Sequence, residues 1–413
     1  MTKVEADTVL QRVPDLNIHL DSSNTLRITM DGQVIGCGRH GLAILDAFGR
    51  PTPLSEALLR LHPRIGGLED ERDLADTIEA LRGAGILQDA TRGTGIARAD
   101  RGGFGSPKFH IAMLNDRSRT AAYLAAIGEV VRPGDVVVDI GTGTGVLAVA
   151  AARAGARHVY AIEASGIADV TRAVLAANDV ADRVTLLRGW STQLDLPETA
   201  DVLVSEIIGD DPLEENVLGV TGDAVVRLLK PRARLVPARL RILGLPVALP
   251  PEVQEERTVP ANLRRWHSWY GIDFRPLAVA AERLPYAFPI APHAARHWPS
   301  LSDPVVLADL DLGTARPGPL GRTVTATATA RGPLEAVLVF FELELGPTTR
   351  FSTHPLEAGP ASSWRSFVWL CPAAGDLAPG DPFAITYAHD ATGPQIAVRR
   401  VSSVRDVDHR LLT

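Results

Sequence analysis

This chain is poor in sulfur and in aromatic rings: of 413 residues, two are cysteine, three are methionine, and 5% are aromatic. Cys37 and Cys371 lie far apart in sequence, which excludes a disulfide framework and a thiolate zinc cluster. The histidines are scattered along the chain, so no metal is expected, and a reducing cytoplasm is the expected location. Basic charge is scarce as well. Lys and Arg number 42 against 49 Asp and Glu, a net charge of −7, which offers nucleic acid no overall attraction and suits a cationic partner better. No uninterrupted apolar run approaches the ~20 residues that span a bilayer. The opening Met-Thr-Lys-Val-Glu-Ala-Asp has no apolar signal region, so neither membrane anchoring nor export is expected. Apolar residues are nonetheless plentiful, 46% of the chain. At this length they supply cores for about two to three domains.

The most informative stretch is residues 136–146, Val-Val-Val-Asp-Ile-Gly-Thr-Gly-Thr-Gly-Val. Its apolar start reads as a strand buried on both faces, as at the centre of a parallel sheet. Gly141, Gly143 and Gly145 then permit positive φ and let a ligand lie on bare backbone, ahead of a helix over Ala-rich residues 147–154 that presents its amide N-terminus. That outlines a nucleotide site. A second strand over residues 158–162 ends at Glu163, near the offset of about 20 residues at which an acid binds ribose hydroxyls in dinucleotide folds. The glycine spacing is not G-x-G-x-x-G, however. Asp139 with its three alternating glycines resembles the first motif of S-adenosylmethionine (SAM) methyltransferases.

Residues 1–90 read as a small domain. Strands are expected at 17–19, 26–30 and 34–37, with Asp31-Gly32 as a hairpin turn. Helical segments follow, carrying Leu42, Ile44 and Leu45, then Leu54, Ala57, Leu58 and Leu61, then Leu74, Ile78 and Leu81 before Gly83 and Gly85. This order suggests a winged-helix-like module, but Arg39, Arg50, Arg60 and Arg64 are offset by Asp46, Glu56, Glu69, Asp70 and Glu71, which disfavours DNA. Residues 91–107 gather Gly93, Gly95, Gly102, Gly103 and Gly105 among Thr, Arg and Asp and read as a linker. Residues 108–236 alternate strand and helix as a doubly wound sheet does, with strands at 136–140, 158–162, 184–188, 202–205 and 234–237. Residues 237–413 change texture. Short alternating stretches at 323–329, 336–344, 367–370 and 383–387, separated by Gly and Pro, suggest an antiparallel β-barrel or sandwich. The expected fold class is α/β followed by all-β.

Residues 202–209, Val-Leu-Val-Ser-Glu-Ile-Ile-Gly, place Glu206 at the C-terminal end of the fourth strand, where ligands gather in open α/β sheets. Glu215 follows on the same loop. Two carboxylates beside a SAM site can grip a cationic nitrogen, and one can accept its proton as a methyl group is transferred. Asp210, Asp211 and Glu214 crowd the same loop, and an ordinary solvated acidic turn would look similar.

Several separated motifs agree with one family. Residues 113–120 (Met-Leu-Asn-Asp-Arg-Ser-Arg-Thr), the turn from Asp139 to Gly145, Glu163, Ser205-Glu206 with Glu215, residues 266–274 (Trp-His-Ser-Trp-Tyr-Gly-Ile-Asp-Phe), Ser352-Thr353 and Ser363-Trp364 stand in the order and spacing of the protein arginine methyltransferases. The chain resembles that family from about Phe104 to its C-terminus. The resemblance implies a Rossmann-like class I SAM methyltransferase domain followed by a β-barrel, with SAM as cofactor and S-adenosylhomocysteine as product. It implies that Arg119 binds the SAM carboxylate and that Asp139, Gly141, Thr142, Gly143 and Gly145 form the cofactor turn. Glu163, with Ala164 after it, would hold the ribose hydroxyls, and His110 and Met113 would line the methyl-transfer site. Glu206 and Glu215 match the paired catalytic acids that hold a substrate guanidinium, Glu206 also lying at the cofactor. An arm at about 248–272 implies a homodimer. Three departures touch the acceptor side. The tyrosine-rich helix before the cofactor site is largely absent, with Phe104 at one position; Asp210, Asp211 and Pro212 stand where aromatics belong; and Ser363 replaces a histidine, depriving Asp116 of its expected partner.

Residues 39–48 (Arg-His-Gly-Leu-Ala-Ile-Leu-Asp-Ala-Phe) and 81–87 (Leu-Arg-Gly-Ala-Gly-Ile-Leu) resemble the PqqD-like leader-peptide recognition domains, over roughly residues 15–89. In that family a peptide leader adds as a strand to an exposed sheet edge; a purely structural cap is the alternative. Together the two resemblances imply a SAM-dependent N-methyltransferase acting on a ribosomally synthesised precursor peptide, whose tethered leader raises the acceptor's effective concentration. The acceptor would be an amine, as in N,N-dimethylation of a C-terminal amine in daptide-type pathways. An alkylammonium is smaller than a guanidinium, lacks its planar fork, and must lose a proton before its lone pair can attack. The alternatives are peptidyl or protein arginine methylation, favoured by Glu206 and Glu215, and a peptide-binding scaffold with an inactive methyltransferase domain, which the intact Arg119, Asp139, glycine turn and Glu163 argue against.

Overall fold

The structure, a computed structural model, describes residues 8–13, 16–20, 26–30, 33–37, 40–62, 68–83, 86–89, 105–283, 286–371, 375–390 and 393–401. The Asp31-Gly32 turn, Phe104 and most of the 91–107 linker lie outside the described residues. The chain divides into two compact units, Met1–Ser106 and Pro107–Thr413.

In the first unit, strands Asn17–Leu20, Leu26–Met30 and Gln33–Cys37 form an antiparallel meander. Helices Gly41–Ala47, Leu54–Leu61 and Leu68–Gly83 follow. A second small sheet sets Val9–Arg12 between Thr52–Pro53 and Leu87–Asp89. Those three strands are too short to show an alternating pattern in sequence. Leu10, Ile28, Ile44, Phe48, Leu81 and Ile86 form the fully buried centre. Leu42 and Leu58, which helical spacing would turn inward, are exposed.

The second unit opens with helices α1 (Pro107–Asn115) and α2 (Arg117–Val130), then winds through β1 (Val136–Ile140), α3 (Val146–Arg153), β2 (His158–Glu163), α4 (Ala168–Ala177), β3 (Val184–Arg188), β4 (Ala200–Ser205), α5 (Val217–Arg227) and β5 (Leu229–Val236). The five strands are parallel in the order β5-β4-β1-β2-β3. The chain steps outward from β1 to β3 and then reverses to β4 on the other side. The reversal leaves a crevice at the carboxyl ends of β1 and β4, where open α/β sheets bind ligands. All five residues of β1 are buried, as its uninterrupted apolar run requires. Val137 packs with Tyr123, Ala126 and Ala148 from α2 and α3, while Val136, Val138 and Ile140 pack with Ala224 and Leu228 on the opposite face.

Beyond β5 the unit is antiparallel. One sheet runs in the order Ala287–Ile290, Ser366–Leu370, Ala336–Glu344, Arg239–Val247, Val305–Asp311, with Arg350–Ser352 also pairing with Ala336–Glu344. Another joins Leu320–Thr327, Pro382–Asp390 and Gly393–Arg400. Between Arg239–Val247 and Ala287–Ile290 the chain forms helices α6 (Pro251–Arg257), α7 (Val259–Tyr270) and α8 (Arg275–Arg283). Among the described residues, no helix is long and apolar enough to cross a membrane.

Candidate active site

Sheet register brings the chemistry to one end. Asp139 and Ile140 pair with Val204 and Ser205 of β4 and with Ala161 and Ile162 of β2, so Asp139, Glu163 and Glu206 leave three adjacent strands on the same side. The glycine turn begins there. Gly141, Gly143 and Gly145 have φ of +73°, +53° and +85°, which only a residue without Cβ adopts readily. Space is as limiting as torsion: a Cβ on Gly141 would lie 2.6 Å from Ile207 Cγ2, and one on Gly143 would lie 3.1 Å from the ring of His110.

Beside this turn lies a small cleft that opens to solvent. His110, Met113, Arg119, Gly141, Thr142, Gly143 and Glu206 all line it. Asp139 and Glu163 brace the turn. Asp139 is fully buried and accepts from Thr142 Oγ1 at 2.6 Å; burial pushes its carboxyl up to about 7, against the Thr142 bond. Glu163 accepts from Gly143 N–H at 2.8 Å and from Ser165 N–H at 2.8 Å, clamping the turn to the end of β2. Gly145 caps α3, and Ala164 follows Glu163, half-buried.

Arg119 and Glu206 form a buried ion pair at 2.8 Å, with side chains 8% and 7% exposed. Burial raises the Glu206 carboxyl, and Arg119 opposes that rise. The Trp364 ring covers the pair, its centroid 5.3 Å from the Arg119 guanidinium carbon. Trp364 is itself held by its indole N–H donating to Ile208 O at 2.6 Å, by an edge contact with Phe341 and by a tilted ring contact with Phe351. Glu215, half-buried on the loop after β4, is pushed up to about 7, first by burial and then by repulsion from Glu206, Glu214 and Asp210. Glu206 therefore lines the cleft with Arg119 balancing it, whereas Glu215 is not among the lining residues and feels Glu206 from farther along the loop.

The structure shows how the acceptor side is held together. Among the described residues Asp116 has no histidine partner, but Ser363 takes that place. Asp116 caps α2 by accepting from Arg119 N–H at 3.1 Å, and its other oxygen accepts from the Ser363 N–H at 2.9 Å and hydroxyl at 3.2 Å. A serine reaches because its backbone N–H supplies one of the two bonds. Asp210 and Asp211 each have a partner within the fold. Asp210 accepts from Arg365 N–H at 2.7 Å, and Asp211 meets His389 Nε2 at 2.9 Å. They tie the acid loop to the antiparallel region.

Comparison with known proteins fits this geometry. The family model for ribosomal protein L11 methyltransferase (PrmA) matches residues 116–235, the span from the α2 cap to β5. The chain is 32% identical over 328 residues to an arginine N(omega)-methyltransferase of Streptomyces achromogenes subsp. streptozoticus, covering 78% of this chain and 84% of that one. The chain belongs to the arginine methyltransferase family. It is thus a SAM-dependent methyltransferase. It is also 30% identical over 269 residues to a probable protein arginine N-methyltransferase 6 of Arabidopsis thaliana, with 62% of this chain and 59% of the relative covered. Solved structures agree in fold. The Trypanosoma brucei PRMT1 enzyme–prozyme heterotetrameric complex with AdoHcy matches with a TM-score of 0.60 at 21% identity over 72% of this chain and 99% of that one. Arabidopsis thaliana protein arginine methyltransferase 10 matches with a TM-score of 0.55 at 23% identity over 70% of this chain and 97% of that one.

The methyltransferase cleft also contains residues that motif reading passed over. Thr120 and Tyr123 line it from α2. The available signal was the position of Tyr123, four residues after Arg119 and three after Thr120, since residues three and four apart share a helix face.

Proposed function

We propose that this enzyme transfers a methyl group from SAM to a guanidino nitrogen of arginine. The observation that carries the reading is Glu206, lining the cleft and paired with Arg119, with Glu215 following on the same loop, its carboxyl raised by burial and by Glu206. A guanidinium is a planar, permanently charged fork that suits two carboxylates. The relatives named for arginine support this acceptor over an alkylamine, as do Asp210 and Asp211, which are engaged within the protein.

The cleft suits SAM: bare glycine backbone, an acid at the end of the neighbouring strand and a buried guanidinium lie together. SAM supplies an electrophilic methyl group when bound. Arg119 would hold its carboxylate. Glu163 accepts one N–H at each oxygen, which leaves lone pairs for ribose hydroxyls. Asp139, Thr142 and Gly145 would keep the turn open, with His110, Met113 and Ala164 at its borders. Glu206 and Glu215 would hold the acceptor and fix one nitrogen on the cleft side. Glu215, at about 7, is basic enough near neutral pH to take the proton that the guanidinium sheds.

The test is methyl transfer from SAM to free L-arginine, an arginine-containing peptide and an alkylamine, followed by mass spectrometry. Methylation of a guanidino group supports the reading, and methylation of the alkylamine alone overturns it. Glu206→Gln should abolish turnover without weakening SAM binding in calorimetry. Full activity in that variant would remove its role.

A second reading concerns what carries the arginine. Among the described residues, Asn17–Leu20 is an edge strand of the first unit, paired only with Leu26–Met30, and such an edge can take up a peptide as an added strand. The same assay reads this: a peptide recruited there would show a lower KM than free arginine. We also propose a homodimer formed through the α7–α8 arm, supported by the exposed Trp269, Tyr270, Ile272, Leu277 and Val279.

A further inference from the structure

Two residues that line the cleft carry hydroxyls with no partner among the described residues. Tyr123 is 1% exposed, and its hydroxyl has no hydrogen-bond partner among the described residues; the Thr120 hydroxyl is likewise buried and unpartnered. Both residues line the cleft together with Arg119. Burying an unpaired hydroxyl forfeits its bonds to water, whereas Phe and Val would fill the same space without that penalty. Two such groups side by side on α2 therefore point to a ligand that completes them. Residues 119 and 123 share a helix face at a spacing of four, and 120 and 123 at a spacing of three.

The charges select the ligand class. Arg119 gives one N–H to Glu206, and a guanidinium carries five, so donors remain. Burial and the nearby Glu206 hold the Tyr123 phenol in its protonated form, where it donates. The Thr120 hydroxyl can donate too. A cation and two hydroxyl donors call for an acceptor-only anion.

We propose that Thr120 and Tyr123 are positioning residues which, with Arg119, form a receptor for the carboxylate at the amino-acid end of the methyl donor. The proposal rests on the cleft being the SAM site. It assigns recognition of that carboxylate to three side chains of α2, so the cleft distinguishes SAM from a donor that has lost its carboxyl group.

Calorimetry on the full chain tests it with two probes, SAM and decarboxylated SAM, against wild type, Thr120→Val and Tyr123→Phe. Wild type should prefer SAM. Each variant should bind SAM about tenfold more weakly, the worth of one hydrogen bond to a charged group, with the affinity for decarboxylated SAM nearly unchanged. Ligand-free melting temperatures should hold or rise in both variants, because an unpaired hydroxyl has been removed. Equal weakening toward both probes would overturn the proposal. So would unchanged SAM affinity with a raised KM for arginine, which would move the hydroxyls to the acceptor side. Absence of SAM binding by wild type would instead defeat the assignment of the cleft itself.

Discussion

Glu215 keeps a proton at pH values where a free glutamate has lost it, because burial and three neighbouring carboxylates lift it from 4.5 to about 7. Between those two values the folded chain binds a proton that the unfolded chain has released, so this residue's contribution to stability falls as pH rises. Glu215→Gln should therefore raise the melting temperature at pH 8 and leave it nearly unchanged at pH 4. Catalysis runs the other way. If Glu215 serves as the base, kcat/KM for arginine should climb through pH 7 in wild type, and the glutamine variant should be inactive across the range. Opposite signs for the same side chain separate a strained functional acid from a merely misplaced one. Its raised pKa was not legible in sequence. The residues that shift it, Glu206 and Asp210, come close only when the loop folds, although the match of Glu206 and Glu215 to a known acid pair was visible from their order along the chain.

At the scale of elements, the β1 turn and the acid loop differ in how far local sequence determines them. Positive φ at Gly141, Gly143 and Gly145 follows from residue type, and the strand before them follows from an unbroken apolar run. Gly141→Val should abolish measurable SAM binding, since the new Cβ meets Ile207 at 2.6 Å on a backbone with φ of +73°. An unchanged calorimetric titration would show that the turn does not form the cofactor floor. The acid loop depends on distant chain instead. Its Asp210 and Asp211 find Arg365 and His389 from the antiparallel region, and Trp364 from the same region lies over Arg119. No periodicity within residues 206–215 could have foretold those partners. The missing histidine opposite Asp116 was legible in sequence; that Ser363 bonds Asp116 in its place, and that Asp210 and Asp211 are engaged, was not, for that reason.

For the whole molecule, the α7–α8 arm carries its aromatic side chains into solvent. Trp269 and Tyr270 are about 60% exposed, and exposed apolar side chains grouped together mark interaction sites. Sedimentation should show a dimer, and Trp269→Glu combined with Tyr270→Glu should shift it to monomer while each subunit stays folded; a wild-type monomer would refute the arm's role. The sequence by itself determined the parallel sheet, its glycine turn and the methyl-donor class, because these depend on residue type and on spacing along a continuous segment. Only the tertiary structure decided which carboxylates are free to act. Glu206 is tied to Arg119, Asp116 to Ser363 and Asp211 to His389, and each of those pairs joins residues that meet only when separate elements pack. An acid's chemistry follows from its partners and its burial, and both are properties of the folded chain.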